Sequence, residues 1–310
     1  IIDTVPDYTP VPLFQVCDVT EITGPNDGLE SFDLDSKNTE IATFGGVFNP
    51  DLTVTYHLTL LDAEAGTIPS LSSPYLNIVN PEFIWVRVED DITGCYGAFL
   101  MELLVNPIPS PVTPTPLIVC DLDNNGEIAF DLTSKNAEIL DGQTGVVINY
   151  HETLTAAQAG TPVIISPYTN TSGPIQTIFA RAEFTATGCF DIVPMDLVVN
   201  PTPIIPATIS PIGICDINLD SIEDFDLTER EDQIYGLTQS TSDYTPTYYE
   251  TPGDADSGTD EITNPSEYQN TSDPQTIWVR LENNDTGCYS VGSFVIDFIF
   301  CALPDATIVI

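Results

Sequence analysis

One set of short words occurs three times along the chain, in the same order. The first copy reads Cys17-Asp18, Phe32-Asp33-Leu34, Tyr56-His57, Trp85-Val86-Arg87-Val88-Glu89 and Thr93-Gly94-Cys95-Tyr96. The second reads Cys120-Asp121, Phe130-Asp131-Leu132, Tyr150-His151, Ile178-Phe179-Ala180-Arg181-Ala182-Glu183 and Thr187-Gly188-Cys189-Phe190. The third reads Cys215-Asp216, Phe225-Asp226-Leu227, Tyr248-Tyr249, Trp278-Val279-Arg280-Leu281-Glu282 and Thr286-Gly287-Cys288-Tyr289. A period of about 95 residues is the size of an immunoglobulin-like sandwich and too long for a solenoid unit. The expected architecture is therefore all-β: three tandem immunoglobulin-like β-sandwich modules over residues 1–107, 108–201 and 202–310, each with its own core.

The joins support separate modules. Asn106-Pro107-Ile108-Pro109-Ser110-Pro111 and Asn200-Pro201-Thr202-Pro203 are dense in proline, which removes backbone donors and holds the chain extended. Short stiff links between compact modules predict an extended rod. Within a copy, alternation around Trp85-Val86-Arg87-Val88-Glu89 predicts an antiparallel sheet with one wet face. A helical turn is expected after each Phe-Asp-Leu word, capped by Asp35, Thr133 or Thr228.

Charge excludes several classes of partner. The chain carries 47 acidic and 6 basic residues, a net charge of −41. Such a surface repels nucleic acid and anionic membranes and attracts cations. The apolar stretches are too short to span a bilayer, so no direct membrane insertion is expected. The abrupt ends read as those of an internal fragment or a processed piece.

Seven cysteines are present. Six occupy repeat positions, and within each copy they suggest bridges Cys17–Cys95, Cys120–Cys189 and Cys215–Cys288, formed in an oxidising compartment. Free buried thiols are the alternative. Cys301 is left over, either unpaired or joined to a following module. The six bases repeat as well: Lys37, Lys135 and Arg230 share one slot, and Arg87, Arg181 and Arg280 share another. The strand arginines are expected in structural ion pairs with Glu89, Glu183 and Glu282 or with the Phe-Asp-Leu aspartates. A ligand-binding role for them is the other reading.

The acidic loop after the first cysteine is the one candidate for chemistry. Asp121, Asp123, Asn125 and Asp131 present oxygens at alternate positions before and beyond Gly126, and Asp216, Asn218, Asp220 and Asp226 follow the same plan. Such spacing suits a hard cation, Ca2+ above all, and resembles the start of an EF-hand loop without its closing glutamate. An ordinary Asx-rich turn is the competing reading. His57 and His151 share a slot with Tyr249, which argues against a catalytic histidine. Trp85, Phe179 and Trp278 read as core aromatics. No nucleophile, phosphate-loop or dinucleotide motif occurs, and the chain is read as a non-enzyme.

The words Cys-Asp, Phe-Asp-Leu-Thr, Ser-Pro-Tyr-x-Asn-Thr, Thr-Gly-Cys-Tyr/Phe and Val-Asn-Pro-x-Pro resemble the repeats of large Bacteroidota surface proteins exported by the type IX secretion system with a type B sorting domain. Among these are proteins similar to the gliding-motility adhesin. The resemblance covers roughly residues 12 to 300. It implies an extracellular, cell-surface location and a stalk or filament role in attachment or gliding. Its expected partners are neighbouring repeats and surface polysaccharide. A module that binds glycan or surface directly is the alternative function.

Overall fold

The computed structural model describes residues 4–19, 24–66, 70–217 and 219–299. Packing divides the chain into two compact units. One comprises Ile1–Pro114, Thr133–Ile165 and Ile178–Met195; the other comprises Thr115–Leu132, Ser166–Thr177 and Asp196–Ile310. Each repeat has a four-stranded sheet and a small two-stranded sheet, and the chain is built of three tandem immunoglobulin-like β-sandwich modules.

In the first unit, the opening repeat sets the pattern. The strand Leu13–Cys17 runs parallel to the closing strand Tyr96–Asn106, which pairs antiparallel with Glu82–Asp90. That strand in turn pairs antiparallel with Leu52–His57. The central strands follow a period of two: Ile84, Val86 and Val88 are buried against Met101, Leu103 and Val105. Phe32 and Leu34 close the same core from the short strand Ser31–Phe32, which pairs with Tyr75–Leu76, and from the turn that follows it. Residues 178–184 of the middle repeat keep the rule, with Ile178, Ala180 and Ala182 buried. There Val146–His151 pairs antiparallel with Ile175–Phe184.

In the second unit, the third repeat has the same sheet. Ile212–Ile214 is parallel to Tyr289–Phe298, which pairs with Gln275–Asn283, and that strand pairs with Tyr244–Tyr249. Ile277, Val279, Leu281, Phe294 and Ile296 share a core with Phe225, Leu227 and Tyr248. The middle repeat contributes the parallel pair of Leu117–Asp121 with the end of Phe190–Pro201.

Two local expectations change. The tryptophans are not core residues: Trp85 and Trp278, like Phe179, are half-buried. Strand alternation puts them on the face opposite Ile84 and Ile277, where a short helix lies. The helical turn after Phe-Asp-Leu begins as a 3-10 turn, and in the third repeat its cap is Asp226, whose carboxylate accepts the Thr228 N–H at 3.0 Å. The clearer caps stand elsewhere. Thr59, Thr153 and Thr251 each accept an N–H at the start of the helices Leu60–Ala65, Leu154–Ala159 and Pro252–Ser257. Each helix closes on a left-handed glycine, Gly66, Gly160 or Gly258, where a side chain would be strained.

Candidate functional site: the junctions between repeats

In the first two repeats the closing strand ends where a linker begins, and its parallel partner, Leu13–Cys17 or Leu117–Asp121, ends at or one residue beyond the first cysteine. These ends meet because the opening strand pairs residue for residue with the last turn of the closing one: Cys17 faces Asn106, and Cys120 faces Asn200. The second cysteine follows a Thr-Gly turn. In every repeat its N–H lies 3.3 Å from the threonine hydroxyl, Thr93, Thr187 or Thr286. The turn is tight because Gly94, Gly188 and Gly287 take positive φ.

The disulfides join repeats rather than closing them. Cys17 is bonded to Cys189, and Cys120 to Cys288. The expected bridges Cys17–Cys95 and Cys120–Cys189 do not form, and Cys215 does not pair with Cys288. Cys95 is a free, half-buried thiol. Cys215 is disulfide-bonded, and Cys301 lies outside the described residues. The reason is placement. The first cysteine ends its strand beside the outgoing linker, so it meets the Thr-Gly-Cys turn of the following repeat. Taken alone, a closed loop of 172 or 168 residues stabilises the fold by about 5 kcal/mol in the chain-entropy account.

Amide side chains grip each linker from both ends. Asn26 accepts the Ile108 N–H at 2.8 Å and donates to the Ile108 carbonyl at 3.2 Å. Asn124 does the same for Thr202, at 2.9 and 3.1 Å. From the following repeat, Gln143 accepts the Ser110 N–H and donates to the Ser110 carbonyl, both at 2.9 Å. Gln239 treats Ile204 likewise, at 2.9 and 2.8 Å. Proline-rich segments have few donors of their own, so each remaining N–H is valuable to hold. Asn26 and Asn124 sit at φ 60 and 55, in the left-handed region that asparagine tolerates.

Both asparagines belong to the acidic loop, which is thus the preceding repeat's hold on its linker. The loop is anchored below by a buried asparagine. Asn77 accepts the Glu30 N–H and donates to the Gly28 carbonyl; Asn170 does so for Ile128 and Gly126, and Asn270 for Glu223 and Ser221. Sequence reasoning gave these residues no role, although each sits in the repeated Pro-Tyr-x-Asn or Glu-Tyr-x-Asn word.

The candidate calcium ligands are dispersed among these tasks. The Asp121 carboxylate accepts the Gly126 N–H at 2.6 Å, which above all holds it below the ordinary carboxylate range. Asp123 and Asn125 bond each other at 2.8 Å. Asp131 accepts from Ser166, and Asp226 caps its 3-10 turn. Asp216 accepts the Leu219 and Ser221 N–H groups. Asp220 lies one residue before Ser221 and accepts the Ile222 N–H at 3.0 Å. Asn218 lies outside the described residues. Among the described residues, no group of three or more His, Cys, Asp or Glu side chains converges as a metal centre would require.

The strand arginines have one arrangement, repeated three times. Arg87, Arg181 and Arg280 each bond the glutamate two residues on, Glu89, Glu183 or Glu282, at 2.7 to 2.8 Å. Each lies over the ring that follows the second cysteine, Tyr96, Phe190 or Tyr289, at 3.6, 3.2 and 3.3 Å. Each also donates to the closing carbonyls of the short helix, as Arg181 does to Ala157 at 2.9 Å and Gln158 at 3.2 Å. A cation at a helix C-terminus is favourable on its own account. In the Lys37 slot, Lys37 pairs with Glu40, Lys135 with Glu138 and Arg230 with Glu229.

No curated protein matches the chain. Among solved structures it is similar to the I-band fragment I67–I69 from titin, at 10% identity and a TM-score of 0.28, over 83% of this chain and 90% of that one. Drosophila OTK extracellular domains 3–5 are similar at 9% identity and a TM-score of 0.27, over 94% of this chain and 95% of that one. Sidekick-1 immunoglobulin domains 1–5 give 11% and 0.24, over 94% of this chain and 60% of that one. A family model, described as the Flavobacterium inter-domain disulphide bond domain, matches residues 13–109, 116–203 and 211–301. With three tandem matches that take in most of its length, the chain belongs to the Flavobacterium inter-domain disulphide bond domain family.

Proposed function

We propose that this chain is the stalk of a secreted cell-surface protein, a run of repeats fastened to one another so that the region carries an adhesive or motile end at a set distance. The observation that supports it is the bonding rule. The first cysteine of one repeat is bonded to the second cysteine of the next, twice over, and the linker between them is gripped from both sides. Disulfides in an acidic chain fit an oxidising, extracellular setting. The repeated arginines are committed to glutamates and helix ends. Export by the type IX system, a part in gliding and a hold on surface polysaccharide remain expectations of the resemblance.

The test is made on cells. Antibody raised against the three repeats should label intact cells, and substituting Cys17 and Cys120 by serine should weaken surface attachment under flow without removing the protein from the surface. Failure to label intact cells sinks the proposal, as does attachment unchanged by removal of the whole region. Reproducible binding of the purified chain on a glycan array would favour direct ligand contact instead.

A further inference from the structure

The four-stranded sheet of the first repeat turns a different face outward from those of the other two. Leu13, Glu102 and Phe83 lie in one row across it, because Glu102 is opposite Leu13 on one side and Phe83 on the other. Trp85 and Leu100 form the next row, and Leu104 follows Glu102 on the same side of its strand. Directly opposed side chains stand about 5 Å apart, so the six residues are contiguous. Leu13, Leu100 and Phe83 are 42%, 42% and 51% exposed, and Trp85, Glu102 and Leu104 are half-buried. Five apolar side chains thus surround one carboxylate.

The same slots in the other repeats show that the fold does not require this set. In the middle repeat Thr177 and Asp196 replace Phe83 and Glu102, and the threonine hydroxyl donates to the carboxylate at 2.6 Å. In the third repeat Thr276 faces Val295. Leu100 gives way to Pro194 and Ser293, and Leu13 to Pro116 and Pro211. The first repeat has therefore exchanged a hydroxyl donor for a ring, and neither Phe83 nor Leu13 has a donor to give Glu102. Among the described residues the exposed phenylalanines, Phe44, Phe48 and Phe83, all fall in this repeat. A contiguous apolar patch on the surface marks an interaction site.

Charge identifies the occupant. A chain with a net charge of −41 repels acidic partners, a second copy of itself included, and attracts basic ones. Its own six bases are each paired with a glutamate. A base laid over Glu102 would make a charge-assisted bond among apolar side chains, where it is stronger than in water. Arginine fits best, because its planar group also stacks on aromatic rings such as Phe83 and Trp85. We propose that this face docks a basic protein segment that presents an arginine or lysine between apolar side chains, the base on Glu102 and the apolar groups on Phe83, Leu100 and Leu13. The proposal goes beyond the stalk reading, and neither depends on the other.

Random peptides displayed on phage and selected against the whole oxidised chain are the probe. Enriched peptides should carry an arginine or lysine flanked by apolar residues. The double variant Phe83→Thr, Leu100→Ser takes residues that the third repeat carries in these slots, and should weaken their binding about tenfold or more. Glu102→Gln should weaken it about fivefold and blunt its dependence on salt. Ile165→Thr, at an exposed apolar residue of the middle repeat, should leave it unchanged. If the double variant misfolds, amide shifts in the unaltered protein decide: the peptides should move Leu13, Phe83 and Leu100 before Thr177 or Thr276. No enrichment, enriched peptides without a base, binding that survives the double variant, or shifts centred elsewhere overturns the proposal. Binding of neutral oligosaccharides at this face in place of the peptides overturns it too.

Discussion

Asn124 holds Thr202 through both ends of its amide, taking the Thr202 N–H at 2.9 Å and giving an N–H to the Thr202 carbonyl at 3.1 Å. The pairing is local to one residue of the linker, so its loss has a defined cost. Asn124→Gly keeps the left-handed backbone and removes both bonds. It should destabilise the oxidised chain by about 2 kcal/mol, read by urea denaturation. An unchanged midpoint would mean that the clamp is ornamental. Gln143→Ala tests the grip from the other side and should cost a similar amount.

The disulfide pattern predicts a chemical result. Iodoacetamide applied to the native oxidised chain should modify Cys95 and spare Cys17, Cys120, Cys189, Cys215 and Cys288. Peptide mapping without reduction should recover Cys17 with Cys189 and Cys120 with Cys288. Recovery of Cys17 with Cys95 would refute the arrangement. Cys189→Ser should expose a second reactive thiol, at Cys17.

Arg181 performs three tasks with one planar group: it forks onto Glu183, caps Ala157 and Gln158, and lies 3.2 Å above the Phe190 ring. Lysine can reach one of these partners but cannot span them. Arg181→Lys should therefore cost about 2 kcal/mol in the same denaturation assay. Arg87→Lys and Arg280→Lys should behave alike, because their surroundings repeat. A loss of a few tenths would show that the charge alone matters.

His57 gives the chain a pH response. Burial above all holds its pKa below the ordinary imidazole value, Asp62 opposing and Arg87 assisting. The folded state thus binds its proton less readily than the unfolded state. Stability should be full above the unfolded value near 6.5 and should fall as pH drops from there to the depressed folded pKa. Melting temperature followed from pH 7.5 downwards measures this. The slope between the two pKa values should flatten in His57→Gln; an unaltered slope would place the response elsewhere.

Much of the fold was legible because it rests on periods. The alternation in Ile84-Trp85-Val86-Arg87-Val88 marked a strand, and the recurrence of Thr-Gly-Cys marked a turn. The same alternation also shows why Trp85 is not in the core, a point that size and hydrophobicity obscure. The bonding partners were not legible. A cysteine's position in its own repeat is identical whether it bonds within the repeat or to the next, and only the parallel pairing of Leu13–Cys17 with the end of Tyr96–Asn106 brings Cys17 to the outgoing side. The amide clamps were hidden for a similar reason. Asn26 and Gln143 become meaningful only once Ile108 and Ser110 are placed against them.

The disulfides Cys17–Cys189 and Cys120–Cys288 overlap in sequence, one spanning 17 to 189 and the other 120 to 288. A single cut of the backbone anywhere from residue 17 to residue 288 therefore releases nothing, because at least one bond still ties the two pieces together. Tension applied at the ends is likewise rerouted. The shortest covalent path passes from Cys17 to Cys189, back along the chain to Cys120, and out through Cys288. Residues 18–119 and 190–287 lie off that path, so proteases and pulling that would shorten or extend an ordinary string of domains meet a molecule with a tether in reserve.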